Sequence, residues 1–313
     1  MNNLPRFTRW LTAGMALLVI ASVAAAPPER PAETPGTPID ELRQARRQLA
    51  KILPFRSEIR ETITIGGRAF HATGHYAQGT DLRLKLSFDV QVGGTRGSFL
   101  QVCDGQTLWT RHAVGKTVNV TSRDVQKILK ALKAQPAVGG KKPDPTMITA
   151  ILGLGGLEAL LASLEESMTF DVRREQELID EAGKPVRYVV IEGTWKARNR
   201  QMLAEGSGDP SGRLPDYIPD RARVYIDQTT RFPHRILYLK RHPERRSYRP
   251  LVTLVFHNVR RNDGSLLSED AFRYTARKNE FAQDVTDAFL RGLRQAGQSP
   301  APAGGSGSSA RSR

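Results

Sequence analysis

The sequence has almost no cysteine, since Cys103 is the only one among 313 residues. A single cysteine excludes a disulfide framework and any metal cluster built from cysteines, so a large apolar core has to hold the fold. It also excludes a lipid anchor on an amino-terminal cysteine, because no cysteine lies near residues 1–26.

Long apolar runs are equally scarce, and the clearest one lies at the amino terminus. Arg6 and Arg9 precede the apolar stretch Leu11–Ala24, which ends in small residues, the layout of a secretory signal. A single membrane anchor is the alternative, but the run is shorter than the roughly 20 residues that a spanning helix needs. We therefore expect residues 1–26 to be a cleaved signal peptide and the mature protein to be soluble, in the periplasm or secreted.

Acidic residues are outnumbered, with 32 against 47 lysines and arginines, for a formal net charge of +15. For an exported chain this charge favours anionic membrane surfaces as partners over nucleic acid, and we expect no nucleic acid to bind. A solvated basic surface without any partner is the alternative. The densest basic stretch, Lys240–Arg249, is expected to be a solvated hairpin loop or a contact for acidic lipid head groups.

Composition divides the chain into four parts. After the signal, residues 27–50 form a proline-rich linker and a short helix, and residues 297–313 form a Gly/Ser/Arg tail that we expect to be disordered. Between them, residues 51–296 are long enough for one large β domain. Within that domain, the Gly/Pro/polar insertion at residues 198–219 is expected to be a mobile loop.

Alternation of apolar and polar residues is the strongest local signal in this central part. In Leu82–Val92 every second residue is apolar, which predicts a long strand with one wet face. Similar strands are predicted at Glu58–Ile65, Ala69–Ala77, Gly97–Cys103, Thr107–His112, Thr117–Thr121, Thr169–Gln176, Val186–Trp195, Ala222–Asp227, His234–Arg241, Leu251–Arg260 and Phe272–Ala276. Short glycine turns such as Gly66-Gly67 separate them, so we predict one large, strongly curved antiparallel sheet.

Four helices are predicted to interrupt or flank this sheet. Three of them cover Ile39–Ile52, Ser122–Ala134 and Val285–Ala296. The fourth, Thr146–Met168, is apolar almost all round but contains glycines that weaken a helix by up to about 1 kcal/mol each. Residues 122–168 are therefore interpreted as lid helices, bending at Gly153, Gly155 and Gly156.

No motif for catalysis or metal binding stands out. His71 and His75 are four residues apart on a predicted strand, which separates them by about 13 Å, too far to share one metal ion. A G-x-S-x-G nucleophile elbow is absent, and Gly153-Leu-Gly155-Gly156 lacks the Lys-Ser/Thr of a phosphate loop. We expect no metal, no cofactor and no enzymatic activity, although carboxylate pairs of the glycosidase kind leave little trace in one sequence.

Three stretches together resemble the LolA/LolB-like superfamily of periplasmic lipoprotein carriers. They are Ser98-Phe-Leu-Gln-Val-Cys-Asp-Gly-Gln-Thr-Leu-Trp109, Val224-Tyr-Ile-Asp-Gln-Thr-Thr-Arg-Phe-Pro-His-Arg-Ile236, and Leu254-Val-Phe-His-Asn-Val-Arg-Arg-Asn262 followed by Phe272 and Asp284-Val-Thr-Asp287. The resemblance spans roughly Lys51–Leu290. It implies a mainly β (α+β) fold: a large antiparallel sheet forming an incomplete barrel, with helices covering the open side.

The resemblance also implies a function, the binding of lipid or lipoprotein acyl chains in a hydrophobic cavity, with transport across the envelope. Arg68 and Arg83 are candidates for the arginine that such carriers place on early strands. The side chains expected to line the acyl cavity are Leu84, Leu86, Phe88, Val90, Leu100, Trp109, Ile151, Leu154, Leu157, Leu161, Tyr188 and Tyr238.

Two other functions remain open at this stage. A non-catalytic envelope protein could keep the same sheet and fill it with side chains, since ordinary β cores also show long apolar alternation. An exported hydrolase is the third alternative. In each case we expect a monomer.

Overall fold

The structure is a computed structural model. It describes residues 36–92, 94–134, 156–180, 183–205, 213–245, 247–261, 267–278 and 280–297. The predicted signal peptide, most of the proline-rich linker, the tail and residues 135–155 of the predicted lid, with Gly153 and Gly155, lie outside these ranges.

Twelve strands, five α-helices and one 3-10 helix are present in this part of the chain. The strands are β1 (Phe55–Ile65), β2 (Arg68–Gln78), β3 (Arg83–Val92), β4 (Thr95–Asp104), β5 (Thr107–Val114), β6 (Thr117–Asp124), β7 (Met168–Ile179), β8 (Pro185–Trp195), β9 (Arg221–Asp227), β10 (Pro233–Arg241), β11 (Tyr248–Arg261) and β12 (Ala282–Asp284). The helices are α1 (Pro38–Ile52), α2 (Val125–Lys133), α3 (Gly156–Ser167), α4 (Ala197–Glu205), α5 (Thr286–Gly297) and the 3-10 turn Glu269–Phe272.

All twelve strands belong to one sheet in the order β12-β6-β5-β4-β3-β2-β1-β11-β10-β9-β8-β7. Two antiparallel meanders, β1 to β6 and β7 to β11, meet where β1 pairs with β11, with Ile59 opposite Phe256. The edge strands β12 and β7 are not joined to each other, so the sheet is open. The prediction of a large antiparallel sheet forming an incomplete barrel, with helices, is confirmed.

Two local features explain how the early strands turn and bend. Gly66 and Gly67 both adopt positive φ in the two-residue turn between β1 and β2, a conformation that glycine reaches without strain. In the middle of β2, a Cβ on Gly74 would collide with the backbone carbonyl of Ser87 on β3. Glycine there allows the two strands to approach closely.

The inner face of the sheet is the one that carries the helices and the buried core. Helix α1 begins with a capping box, in which Thr37 and Asp40 bond each other's backbone and side chains. It then buries an i, i+3, i+7 stripe made of Leu42, Ala45 and Leu49. One continuous hydrophobic cluster joins α1, α2 and α3 to inner-face residues of β1 to β5 and β7 to β11.

Two segments differ from the sequence-based prediction. Phe272–Ala276 is not a strand: Phe272 ends the 3-10 turn and is buried, and the following residues are irregular. The short strand of this region is β12, which pairs in parallel with β6. In the insertion predicted as a loop, residues Ala197–Glu205 form helix α4, and Leu214 and Ile218 are buried against it and Trp195.

Among the residues that the structure describes, no helix combines the length and the apolar character needed to cross a bilayer.

Candidate functional site

Strand β3 supplies the middle of the inner face. Directly opposed residues of an antiparallel pair share a face, and Phe88 is opposite both Gly74 on β2 and Phe99 on β4. Because side chains alternate, Leu84, Leu86 and Val90 point to the same side as Phe88. The prediction that this strand presents one apolar row is confirmed by the burial of Leu84 and Phe88.

The inner face is packed unevenly. Beneath α1 and α3, the side chains of Ile191, Val224 and Ile236 are completely buried. On the other half of the sheet, Ile63, Leu86 and Val90 are only half-buried. We call this second surface the apolar strip, and it consists of Ile63, Ala72, Leu86, Phe88, Val90 and Phe99.

One charged residue lies within the apolar strip. Glu61 on β1 is opposite Ala72 on one side and Leu254 on the other, and only 6% of it is exposed. Burial raises the pKa of the Glu61 carboxyl to about 7. Around neutral pH this group therefore exists in both its neutral and its ionised form.

Helix α3 starts against strand β2, next to the strip. The backbone N–H of Leu157 donates a hydrogen bond to the Tyr76 hydroxyl at 2.9 Å, and that hydroxyl donates to Oε1 of Gln78 at 2.6 Å. Gly156 has a positive φ, and a Cβ there would collide with the side chains of Tyr76 and Gln78. The predicted hinge glycine is thus also a position of close contact.

Ion pairs connect α3 to α1. Arg43 bonds Glu165 at 2.7 Å, while Arg46 bonds Glu158 at 2.7 Å and also contacts Glu165. Burial alone would raise the pKa of Glu165, but the hydrogen bonds from Arg43 and Arg46 hold it below its ordinary value. The two helices therefore cover the sheet as a linked pair.

A buried carboxylate also connects α1 to the sheet. Glu41 accepts from Arg173 on β7 at 3.0 Å and from Arg231, in the β9–β10 turn, at 2.7 Å. Glu41 is 6% exposed, so both partners are needed to compensate its desolvation. This triad fixes α1 over β7 and β8.

The structure brings some of the predicted cavity residues together and separates others. Leu84, Leu86, Phe88, Val90 and Tyr238 lie on the inner face, and Leu157 and Leu161 are buried on α3 in the same core. Ile151 and Leu154 lie outside the described residues.

Leu100, Trp109 and Tyr188 lie on the outer face and are not part of this surface. Leu100 falls between the inner-facing Phe99 and Gln101, Trp109 stacks on Tyr274 with ring centroids 6.0 Å apart, and Tyr188 packs edge-on against Tyr225. A shift of one residue along a strand changes the face. Of the two candidate arginines, Arg83 also lies on the outer face, 3.2 Å from Glu269, and Arg68 is exposed.

Sequence reasoning missed several groups that shape the inner face, including Glu61, Tyr76 and Lys240. Lys240, expected in a solvated loop, is 2% exposed and donates to the carbonyls of Leu214, Pro215 and Ile218 at 2.9–3.0 Å. Only Glu61 left a signal, because it interrupts the apolar alternation of Ile59 and Ile63.

The cysteine and a histidine in the described part of the chain have pKa values shifted by burial. Burial raises the pKa of the Cys103 thiol to about 11, which keeps it protonated and a poor nucleophile. Burial, with the nearby charge of Arg123, lowers the pKa of His112, which packs on Phe99 at 4.9 Å. The described residues contain no group of three or more His, Cys, Asp or Glu that could hold a metal ion.

The outer face of β7 to β9 is strongly basic. Glu192 is buried there between Arg174 at 2.7 Å, Arg223 at 2.8 Å and Arg221 at 3.6 Å. Burial would raise the pKa of Glu192, but the hydrogen bond from Arg174 and the charge of Arg223 hold it low. One carboxylate faces three guanidinium groups, so this cluster keeps a net positive charge.

Several solved structures are similar to this chain at low identity. The crystal structure of MucB has 14% identity and a TM-score of 0.34 over 76% of this chain, which spans only 62% of the MucB chain. A putative outer membrane lipoprotein-sorting protein domain from Vibrio parahaemolyticus has 11% identity and a TM-score of 0.30, covering 75% of this chain and 95% of its own. A LolA superfamily protein from Nitrosomonas europaea has 10% identity and a TM-score of 0.28, covering 76% and 98%.

No protein-family model matches the chain, and neither does any curated protein. The chain is similar in fold to a solved LolA superfamily protein, from the superfamily that its short motifs resemble.

Proposed function

We propose that this chain binds the acyl chains of lipids or lipoproteins on the inner face of its sheet. The observation that carries the proposal is the apolar strip, where Ile63, Leu86 and Val90 stay half-exposed beside a tightly packed core. Each methylene removed from water is worth about 0.8 kcal/mol. Burial of the methylenes of an acyl chain along the apolar strip is therefore a sufficient driving force for binding. The acyl chain would also contact the buried side chains of Leu84, Phe88 and Phe99.

The sheet offers a matched pair of variants for testing this site. Leu86 and Leu100 are both half-buried on neighbouring strands, but Leu86 faces inward and Leu100 outward. Leu86→Gln should weaken binding of a fluorescent acyl probe by about tenfold, because it removes about 1.5 kcal/mol of apolar contact, whereas Leu100→Gln should change it less than about twofold. Equal losses in both variants would contradict a site on the inner face.

The alternative is an interaction protein whose interior is filled with side chains. The fully buried residues under α1 and α3 favour it for that half of the sheet. Native mass spectrometry of protein purified from its own envelope distinguishes the two. Co-purified acyl species support the carrier, and a protein that stays free of ligand when lipid is added supports the filled interior.

Movement of α3 as a lid is part of the proposal. It is supported by Gly156 at the start of the helix, and opening would break the bond between Leu157 and Tyr76. Spin labels on Ala162 and Asp89, in a Cys103→Ala background, should move apart when lipid is added. An unchanged distance distribution would exclude the lid and leave binding untouched.

The proposal also includes export and a non-enzymatic role. Export rests on the amino-terminal pattern of Arg6, Arg9 and Leu11–Ala24. Mass spectrometry of the mature protein should find its first residue close to Pro27. Transport of the cargo between membranes is the extension of this proposal, and transfer of a labelled lipopeptide between vesicles tests it.

The basic outer face supports a second candidate role, contact with an anionic membrane surface. Arg174, Arg221 and Arg223 share the single carboxylate of Glu192 there. Arg223→Gln should weaken binding to vesicles rich in phosphatidylglycerol, and added salt should abolish the difference. Arg200→Gln, on the exposed side of α4, is the control that should bind like the unmodified protein.

A further inference from the structure

Glu61 occupies a central and otherwise apolar position of the inner face. Its strand, β1, is seventh in the order of twelve. Its same-face neighbours along β1 are Ile59 and Ile63, and across the ladder they are Ala72 and Leu254. The same row continues through Val90 on one side and Ile236 on the other. The side chains that flank this carboxyl group along β1 and across the ladder are therefore all apolar.

The other two buried glutamates of the described residues show how unusual this is. Glu41 and Glu192 are 6% and 5% exposed, and each forms ion pairs with at least two arginines. Glu61 is buried to the same extent, yet no hydrogen bond or ion pair reaches its carboxyl from the described residues. Burial of an uncompensated carboxylate is costly, and none of the described residues compensates this one.

The charged and titratable groups on the surrounding inner face are distant along the sheet or already engaged. Arg173 ends the row of Glu61 on β7 and is paired with Glu41. His112 packs on Phe99, Arg123 lies over the ring of Phe289, and the hydroxyl of Tyr76 is bonded to Gln78 and Leu157. The Tyr238 hydroxyl is buried in the same core, which raises its pKa and keeps it neutral.

We propose that Glu61 is the head-group anchor of the apolar strip, which accepts a hydrogen bond from the N–H of an amine or amide at the head of a bound alkyl or acyl chain. This inference rests on the proposed function, since it assumes that a chain lies on the strip, and it adds the chemical class of the head group. An N–H donor satisfies the carboxylate in a dry setting, where a charge-assisted hydrogen bond is strong. A fatty-acid carboxylate in the same place would meet a like charge.

The test compares two probes of equal chain length, dodecylamine and dodecanoate, by calorimetry at pH 8 and below their micelle concentrations. The unmodified protein should bind the amine at least about tenfold more tightly than the acid. Glu61→Gln should reduce this preference by about tenfold, because it removes the acceptor charge and keeps the side-chain shape. Glu58→Gln, on the exposed outer side of the same strand, should leave the preference unchanged.

A second measurement follows the affinity for dodecylamine as the pH changes. Dodecylamine remains charged between pH 5.5 and 8, so its affinity for the unmodified protein should fall by about tenfold on acidification, as Glu61 takes up a proton. Glu61→Gln should lose this dependence.

The outcomes separate the anchor from the proposed function. If both probes bind with the same preference in all three proteins, the anchor is wrong and acyl binding stands. If neither probe binds any of them, acyl binding fails, and the anchor with it.

Discussion

The Tyr76 hydroxyl on β2 lies 2.9 Å from the backbone nitrogen of Leu157, so a side chain of the sheet caps the first turn of α3. The first N–H groups of a helix have no partner within it, and a buried one must be satisfied from outside. Here the partner is a phenol that is itself bonded to Gln78. This contact joins the start of α3 to strand β2.

Tyr76→Phe should lower the free energy of unfolding by about 1 to 2 kcal/mol, because it leaves the buried N–H of Leu157 without its closest acceptor. Urea unfolding followed by circular dichroism measures the change. Tyr217→Phe is the control, since Tyr217 is 52% exposed and its loss should stay within about 0.5 kcal/mol. Equal stability of the two variants would show that the cap contributes nothing.

Glu41→Gln should destabilise the protein by about 2 to 3 kcal/mol. The change removes a buried charge that bonds Arg173 and Arg231, and leaves two guanidinium groups facing a neutral amide. Glu177 makes a 3.4 Å pair with Arg187 at an exposed position, so Glu177→Gln should cost less than about 0.5 kcal/mol. Chemical unfolding at pH 7 compares the two, and a loss no larger than that of the control would refute a role for Glu41 in holding α1.

Glu61 should make the protein less stable as the pH rises. The folded state keeps the proton up to about pH 7, while the ordinary pKa is 4.5, so the folded form binds more protons between these values. Stability is therefore highest below about pH 4.5 with respect to this group, and each pH unit up to about 7 costs about 1.4 kcal/mol.

Urea titrations at pH 5 and pH 8 test this dependence. Glu61→Gln should remove most of it and make the protein more stable than the unmodified chain at pH 8, whereas Glu58→Gln should behave like the unmodified chain. If Glu61→Gln showed an unchanged pH slope, another group would have to carry it.

Lys240→Met should loosen the segment 213–220. The ammonium group donates to three carbonyls of that segment. Because these hydrogen bonds are charge-assisted, losing them should lower the free energy of unfolding by about 3 kcal/mol. Trp195 reports the effect, since its indole N–H bonds the carbonyl of Pro219 at 2.6 Å. A red-shifted tryptophan spectrum is expected for this variant. Lys127→Met, at an exposed pair with Asp287, should leave the spectrum unchanged.

Most strands of the sheet could be predicted from local patterns of the sequence. Alternation in Leu84–Val90 identified the inner row of β3, and glycine pairs identified the turns. Because Leu100 and Trp109 are apolar, the sequence predicts them on the same surface. An outer face can also be apolar, however, where another segment covers it. Here Tyr274 and Phe272, far along the chain, pack against it, and no local pattern reveals such a cover.

The inner site depends on contacts that are distant in sequence. The pairing of β1 with β11 and the bonds of Glu41 to Arg173 and Arg231 join segments that show no local relationship. Glu61 could have been noticed as a polar residue at an apolar position of the Ile59–Ile63 alternation. Its burial and lack of partners follow only from the assembled sheet.

The pairing between β1 and β11 has a consequence for the order of events during folding. In the first meander, one edge of β1 stays unpaired until β11 has been synthesised and can pair with it. Such non-local pairing is slow to form, and an exposed strand edge invites aggregation in the interval. Glu58 and Arg60 place charges on this unpaired strand, and they should oppose pairing with strands of other molecules until the two halves of the sheet meet.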